Sequence, residues 1–203
     1  MRIVVVDYGM GNLKSIMNAI YYLGYDKVSL SNELPVLQHA DKLILPGVGN
    51  YAKAMSKINQ LNLTSALQRL VLEEKKPILG ICLGMQLMGH SSTETGFNTG
   101  LCLIDGVVEA FSQKGLKVPH VGHNQVKPCS ESKLYDNIHS APDYYFTHSF
   151  RMLSNADIGK STSFYGEEFV ASFEIQNIAG VQFHPELSQT NGLHLLKNFI
   201  ELF

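Results

Sequence analysis

The sequence predicts an α/β fold: an open, mostly parallel sheet with helices on both faces, and extra antiparallel strands in the C-terminal half. Three observations carry this. β-Branched apolar runs at Ile3 to Val6, Lys42 to Leu45 and Pro77 to Ile81 are bounded by turn residues, as strands buried on both faces are. Helical patterns lie between them, and strand–helix–strand alternation is how a parallel sheet is connected. After residue 100 the texture changes to short apolar segments separated by turn residues.

In chain order, MRIVVVDYG opens with the first strand. Its apolar stretch is broken too soon by Asp7 to be a signal peptide. Leu13, Ile16, Met17, Ile20 and Leu23 then recur at helical spacing and stop at Gly24. The strand Lys42 to Leu45 follows, ending in PGVGN. A second helical pattern through Leu61, Leu67, Leu70 and Val71 stops before Pro77, where the third strand leads into GICLGMQLM. Leu101 to Val108, Val118 to Val121, Tyr144 to Thr147, Phe169 to Phe173 and Ile178 to Phe183 read as short strands that extend the sheet or form a small antiparallel layer on it. Leu195, Leu196, Phe199 and Ile200 mark a packed closing helix within Asn191 to Phe203. With no repeat or long linker, the 203 residues are expected to form one domain, 1–203.

Composition excludes several function classes. A net charge of −2 without basic runs gives no footprint for nucleic acid. No segment approaches the roughly 20 apolar residues of a membrane span. Cys82, Cys102 and Cys129 are odd in number and lack CxxC spacing, which fits reduced thiols in the cytoplasm and no metal site.

Loops at the carboxyl ends of parallel strands collect ligands, and DYGMGN, PGVGN and ICLGMQ all fall there. Gly80-x-Cys82-x-Gly84 is the thiol counterpart of the turn that presents serine in hydrolases. The glycines allow a sharp turn, and the first amides of the following helix favour a thiolate. The pattern alone leaves a buried structural cysteine equally open. In GVQFHPELS, His184 and Glu186 are two apart on an extended chain, so the carboxylate can fix the tautomer of the imidazole and leave its other nitrogen for a thiol. Of the other histidines, His39, His139 and His194 read as solvated; His90, His120, His123 and His148 are less easily dismissed but have no carboxylate at i+2. Nucleophile, base and orienting carboxylate make an acyl-transfer set, and the PGVGN glycines can turn an amide toward a developing oxyanion.

PGVG, GICLGMQ and QFHPE, in this order, resemble the class I (triad) glutamine amidotransferases. DYGMGN, GLCLIDG, KVPHVGHN and YYFTHSF narrow the resemblance to the glutaminase subunits of imidazole glycerol phosphate synthase, over essentially the whole chain. The resemblance implies a flavodoxin-like sheet and Cys82, His184 and Glu186 as catalytic triad. It implies an oxyanion hole from Leu83 and the Val48–Gly49 loop, and a glutamine site from Gln86, Thr147, His148 and Ser149. No cofactor and no metal are implied. Ammonia released from glutamine would protonate in water, so a partner must receive it directly; the resemblance implies a (β/α)8-barrel cyclase docked at a face carrying Asn12, His123 and Leu187. The family usually has tryptophan at the position of His123 and lysine at that of Leu187. These departures leave open a paralogous glutaminase feeding sugar amidation in surface-glycan synthesis. A catalytically silent docking module, and a cysteine peptidase or stress protein with a similar cysteine turn, are the rival classes; QFHPE and Gln86 speak against them.

Overall fold

Ile3–Val6 forms strand β1 in the computed structural model, which describes residues 1–138 and 141–203; all four positions are buried. The chain continues through α1 (Leu13–Tyr22), β2 (Val28–Ser31), α2 (Leu34–His39), β3 (Lys42–Leu45), α3 (Tyr51–Gln60), α4 (Leu63–Gln68), a π-helical turn (Arg69–Glu73), β4 (Ile78–Ile81) and α5 (Leu83–Leu87). Small strands β5 (Ser91–Ser92) and β6 (Asn98–Thr99) follow. Next come β7 (Val107–Ala110), β8 (His120–Gln125), β9 (Asp143–His148), β10 (Phe150–Leu153), β11 (Ser161–Tyr165), β12 (Glu167–Ile175) and β13 (Ile178–Val181). A 3-10 turn (Pro185–Leu187) and α6 (Gln189–Leu202) complete the element order.

The main sheet has the order β11-β12-β13-β4-β3-β1-β2. Its middle is parallel, β2, β1, β3, β4 and β13, while β12 and β11 add antiparallel strands at one edge. A four-stranded sheet, β10-β7-β5-β6, and the β8–β9 ribbon account for the other C-terminal strands. Successive strand residues point to opposite faces. Val4, Val6, Leu43 and Leu45 accordingly pack under Tyr51, Met55, Leu67 and Leu70, and Ile3, Val5, Ile44 and Ile81 pack under Ile16, Ile20, Leu196 and Phe199. Each fully buried side chain of this size contributes about 1.5–3 kcal/mol.

Several expectations are corrected. A strand and a helix, β2 and α2, lie between α1 and Lys42. In β2, at the sheet edge, only Val28 is buried, and α2 is a six-residue helix with Pro35 in its first turn, so neither has a readable apolar period. Leu61 belongs to no helical core stripe: it is the C-cap of α3 and is exposed. From the run Leu101 to Val108 only Val107 and Val108 enter a strand. Leu101, Leu103 and Ile104 are buried in irregular chain whose amides bond to the carbonyls of Leu87 and Met88. Val118 and Pro119 precede β8 rather than forming part of it, and β13 ends at Val181, two residues short of Phe183. Among the described residues, no helix is long and apolar enough to cross a membrane.

Candidate active site

The site is assembled at the carboxyl ends of β1, β3, β4 and β13. β4 runs straight into α5, and Cys82 at the junction has φ 53° and ψ −111°, a sparsely populated conformation for a residue with a side chain. The turn is tight enough that a Cβ on Gly84 would strike the carbonyl of Leu45, backbone against backbone. The glycine is therefore a steric requirement of setting α5 directly on β3. Cys82 is 6% exposed.

Register explains how residues a hundred positions apart meet. β4 and β13 pair in parallel with Val181 opposite Ile81, and Cys82 N donates to Val181 O at 2.8 Å. The chain leaving β13 thus passes the thiol at once. His184 Nδ1 lies 2.9 Å from Glu186 Oε1. A carboxylate only accepts, so Nδ1 carries the proton and Nε2 is left toward Cys82. The pair is joined not by the expected extended chain but by the 3-10 turn Pro185–Leu187, which curls the carboxylate back under the ring. Ser188 clamps the turn, donating to His184 O and accepting from Tyr145 N, while His184 N donates to Tyr145 O. His184 Nε2 and Glu186 Oε2 are buried without hydrogen-bond partners among the described residues. Burial disfavours the charged imidazole, but the neighbouring Cys82 and Glu186 outweigh it and push the His184 pKa up to about 10.

A cavity of about 280 Å³, near the small end for ligand pockets, opens over the thiol. Val48, Gly49, Leu83, Gln86, Thr147, His148 and Ser149 line it with Cys82, and Glu94, Pro119 and Phe150 complete it. Glu94, just after β5, has no spacing in the sequence to mark it. Its Oε2 accepts from Tyr51 N at 2.9 Å, which fixes it at the start of α3 beside the PGVG loop. In that loop Gly49 has φ +103°, and Gly47 O accepts from Leu83 N at 3.3 Å. One of the two amides assigned to the oxyanion hole is therefore occupied by a backbone carbonyl.

His148 pairs with His120. His148 Nδ1 donates to Phe150 O at 2.9 Å, so its Nε2 is the acceptor for His120 Nδ1 at 3.0 Å. His120 lies between the rings of Phe146 and Tyr165. Burial pushes the two pKa values down, to about 3 for His148 and about 4 for His120. His148 thus stays neutral near a charged His184. His90 instead lies at the surface beside Asp105, His39 is exposed, His194 is half-buried on α6, and His139 lies outside the described residues.

The three residues expected at a partner face rim this turn. His123 and Leu187 are exposed, and His123 packs edge-on against Tyr145. Asn12 departs from a purely external role, because its Nδ2 lies 3.4 Å from Glu186 Oε1.

The family model "Glutamine amidotransferase class-I" matches residues 4–202. The imidazole glycerol phosphate synthase subunit HisH of Aquifex aeolicus is 43% identical over 200 residues, covering 98% of this chain and 96% of the relative. In Arabidopsis thaliana, imidazole glycerol phosphate synthase hisHF is 40% identical over 98% of this chain, which covers 34% of that longer protein. A solved glutamine amidotransferase structure superposes with a TM-score of 0.74 at 16% identity, covering 98% and 97% of the two chains, and so shares the fold. Since the family model runs almost from end to end and the relatives match along nearly all of this chain, the chain belongs to the class-I glutamine amidotransferases.

Proposed function

We propose that residues 1–203 act as one glutaminase domain, the subunit of a cytoplasmic imidazole glycerol phosphate synthase that hands ammonia to a (β/α)8-barrel cyclase. The observation that carries the chemistry is the pairing of His184 Nδ1 with Glu186, which leaves Nε2 beside Cys82. Sγ attacks the side-chain amide carbon of glutamine, and the imidazolium gives its Nε2 proton to the departing nitrogen, releasing ammonia. Water, deprotonated by the now neutral His184, attacks the thioester; glutamate leaves and the thiolate returns. Gln86 Nε2 is held by Phe150 O and Gln182 Oε1, so Gln86 Oε1 is the acceptor available to the α-ammonium of glutamine, with Glu94 as its counter-charge.

The tetrahedral oxyanion would bond to Leu83 N and an amide of Val48–Gly49. Gly47 O must first leave Leu83 N, so the isolated chain is a weak glutaminase and docking of the cyclase switches it on. The Arabidopsis relative supports a physical union with a larger body, since the related stretch is about a third of one synthase chain. The acceptor is assigned on HisH similarity. Glutamate release from glutamine, measured with and without the cyclase, tests the reading: it predicts a rise of at least about tenfold with partner, and rapid partner-independent turnover contradicts the switch.

A second reading, ammonia supply for sugar amidation, is favoured by His123 and Leu187, both exposed where the family usually offers tryptophan and lysine. Growth of a glutaminase-deficient histidine auxotroph at limiting ammonia separates the two. Rescue with the host cyclase supports the first, and rescue only with a different barrel protein supports the second.

A further inference from the structure

Gln182 shares its sequence segment with His184, yet in the reaction just described it does no more than hold Gln86 through Oε1. It is wholly buried at 0% exposure, where an amide is costly unless its groups are bonded. Its orientation follows from its neighbours. Phe150 O can only accept, so Gln86 must present Nε2 to it, at 3.0 Å. The other N–H of Gln86 points at Gln182, 2.9 Å away, so Gln182 must present Oε1; the reverse setting would face acceptor with acceptor or donor with donor. Gln182 Nε2 is thereby turned away from Gln86, and the acceptor it meets is Cys82 Sγ at 3.8 Å. The β4–β13 register brings the two residues to the same level.

We propose that Gln182 is a catalytic residue whose Nε2–H donates to the Cys82 thiolate, tying the nucleophile to the substrate-holding Gln86. This rests on the glutaminase reading above. An N–H bond to sulfur is weak when the sulfur is a thiol and charge-assisted when it is a thiolate, so the contact favours the reactive form. It also restrains Sγ. The same buried amide chain, Phe150 O to Gln86 to Gln182 to Sγ, couples occupation of the glutamine site to the aim of the nucleophile.

The test uses full-length chain with Cys102→Ser and Cys129→Ser, so that iodoacetamide reports on Cys82 alone. In Gln182→Met and Gln182→Leu, which keep bulk but remove the donor, the pH at half-maximal alkylation should rise by about one unit, given the strength of hydrogen bonds to charged groups. In complex with the cyclase, kcat should fall about tenfold, and KM should rise as well, because Gln86 loses one of its two acceptors with Gln182 Oε1. Unchanged alkylation and kcat overturn the proposal, whether or not the melting temperature falls, because they leave Gln182 only a packing role. If neither variant folds, the side-chain NH2 resonances of Gln182 decide. They should shift with pH in the parent and become flat in Cys82→Ala; no shift in the parent, or the same shift in both, overturns it. If the parent with cyclase hydrolyses no glutamine while the alkylation shift is present, the glutaminase reading fails and the Gln182–thiolate bond stands.

Discussion

His184 carries the clearest electrostatic signature at the scale of single residues. Its pKa rises from 6.5 to about 10 in the fold, so the stabilisation from its charged form is complete below about 6.5 and is lost as pH climbs through 10. Urea midpoints should therefore decline between pH 6.5 and 10, and the decline should be shallower in Glu186→Gln, where the carboxylate that helps hold the charge is gone. The same variant should lose about 10²-fold or more in kcat yet keep residual turnover, because the ring still reaches the thiol but in a poorly fixed tautomer. Activity in Cys102→Ser and Cys129→Ser should stay at the parental level, both thiols lying outside the cavity. Cys82, His184 and Glu186 could be singled out from the sequence because flanking glycines and an i, i+2 spacing are local marks. Gln182, Glu94 and the Asn12–Glu186 contact could not. Those are consequences of register and of chain paths 43 to 174 residues long in sequence separation, and no spacing within a motif encodes them.

Among the elements, the β4–α5 junction and the PGVG loop matter most. α5 lies so close to β3 that Gly84→Ala places a methyl on the carbonyl of Leu45, and the backbone cannot yield as a side chain would. Overpacking of this kind costs about 1–3 kcal/mol. The variant should melt several degrees lower and lose glutaminase activity with the cyclase bound; an unchanged melting temperature would show that the junction is looser than described. The strands of the sheet centre were legible because both their faces are buried and their apolar runs are unbroken. The edge strand β2 and the short α2 were not, since an element with one buried residue leaves no period to read. The Leu101 to Ile104 stretch misled for a related reason: it is buried as a strand would be, but bonds to the end of a helix.

For the whole molecule, Asn12 reaches Glu186, and His123 packs on Tyr145, whose carbonyl accepts from His184 N, so a partner seated on this rim would lie beside the His184–Glu186 pair and receive ammonia before water protonates it. A tryptophan or a lysine restored at that rim tests which partner fits. His123→Trp with Leu187→Lys should tighten binding to a histidine-pathway cyclase by about tenfold or more if that protein retains the facing pocket and acid, as buried aromatics and complementary charges dominate such interfaces. No change would show that this chain and its own cyclase have diverged together.

In the proposed reaction Cys82 takes the glutamyl group from glutamine when the cyclase is bound. Rapid acid quench of the complex turning over glutamine, followed by mass spectrometry of the Cys82 peptide, measures it directly. A glutamyl thioester is expected on Cys82 in the parent complex, more of it with cyclase than without, and none in Cys82→Ser, which should fold and bind the cyclase but release no ammonia. Glutamine hydrolysis at the parental rate by Cys82→Ser, or a glutamyl adduct on another residue, would contradict it.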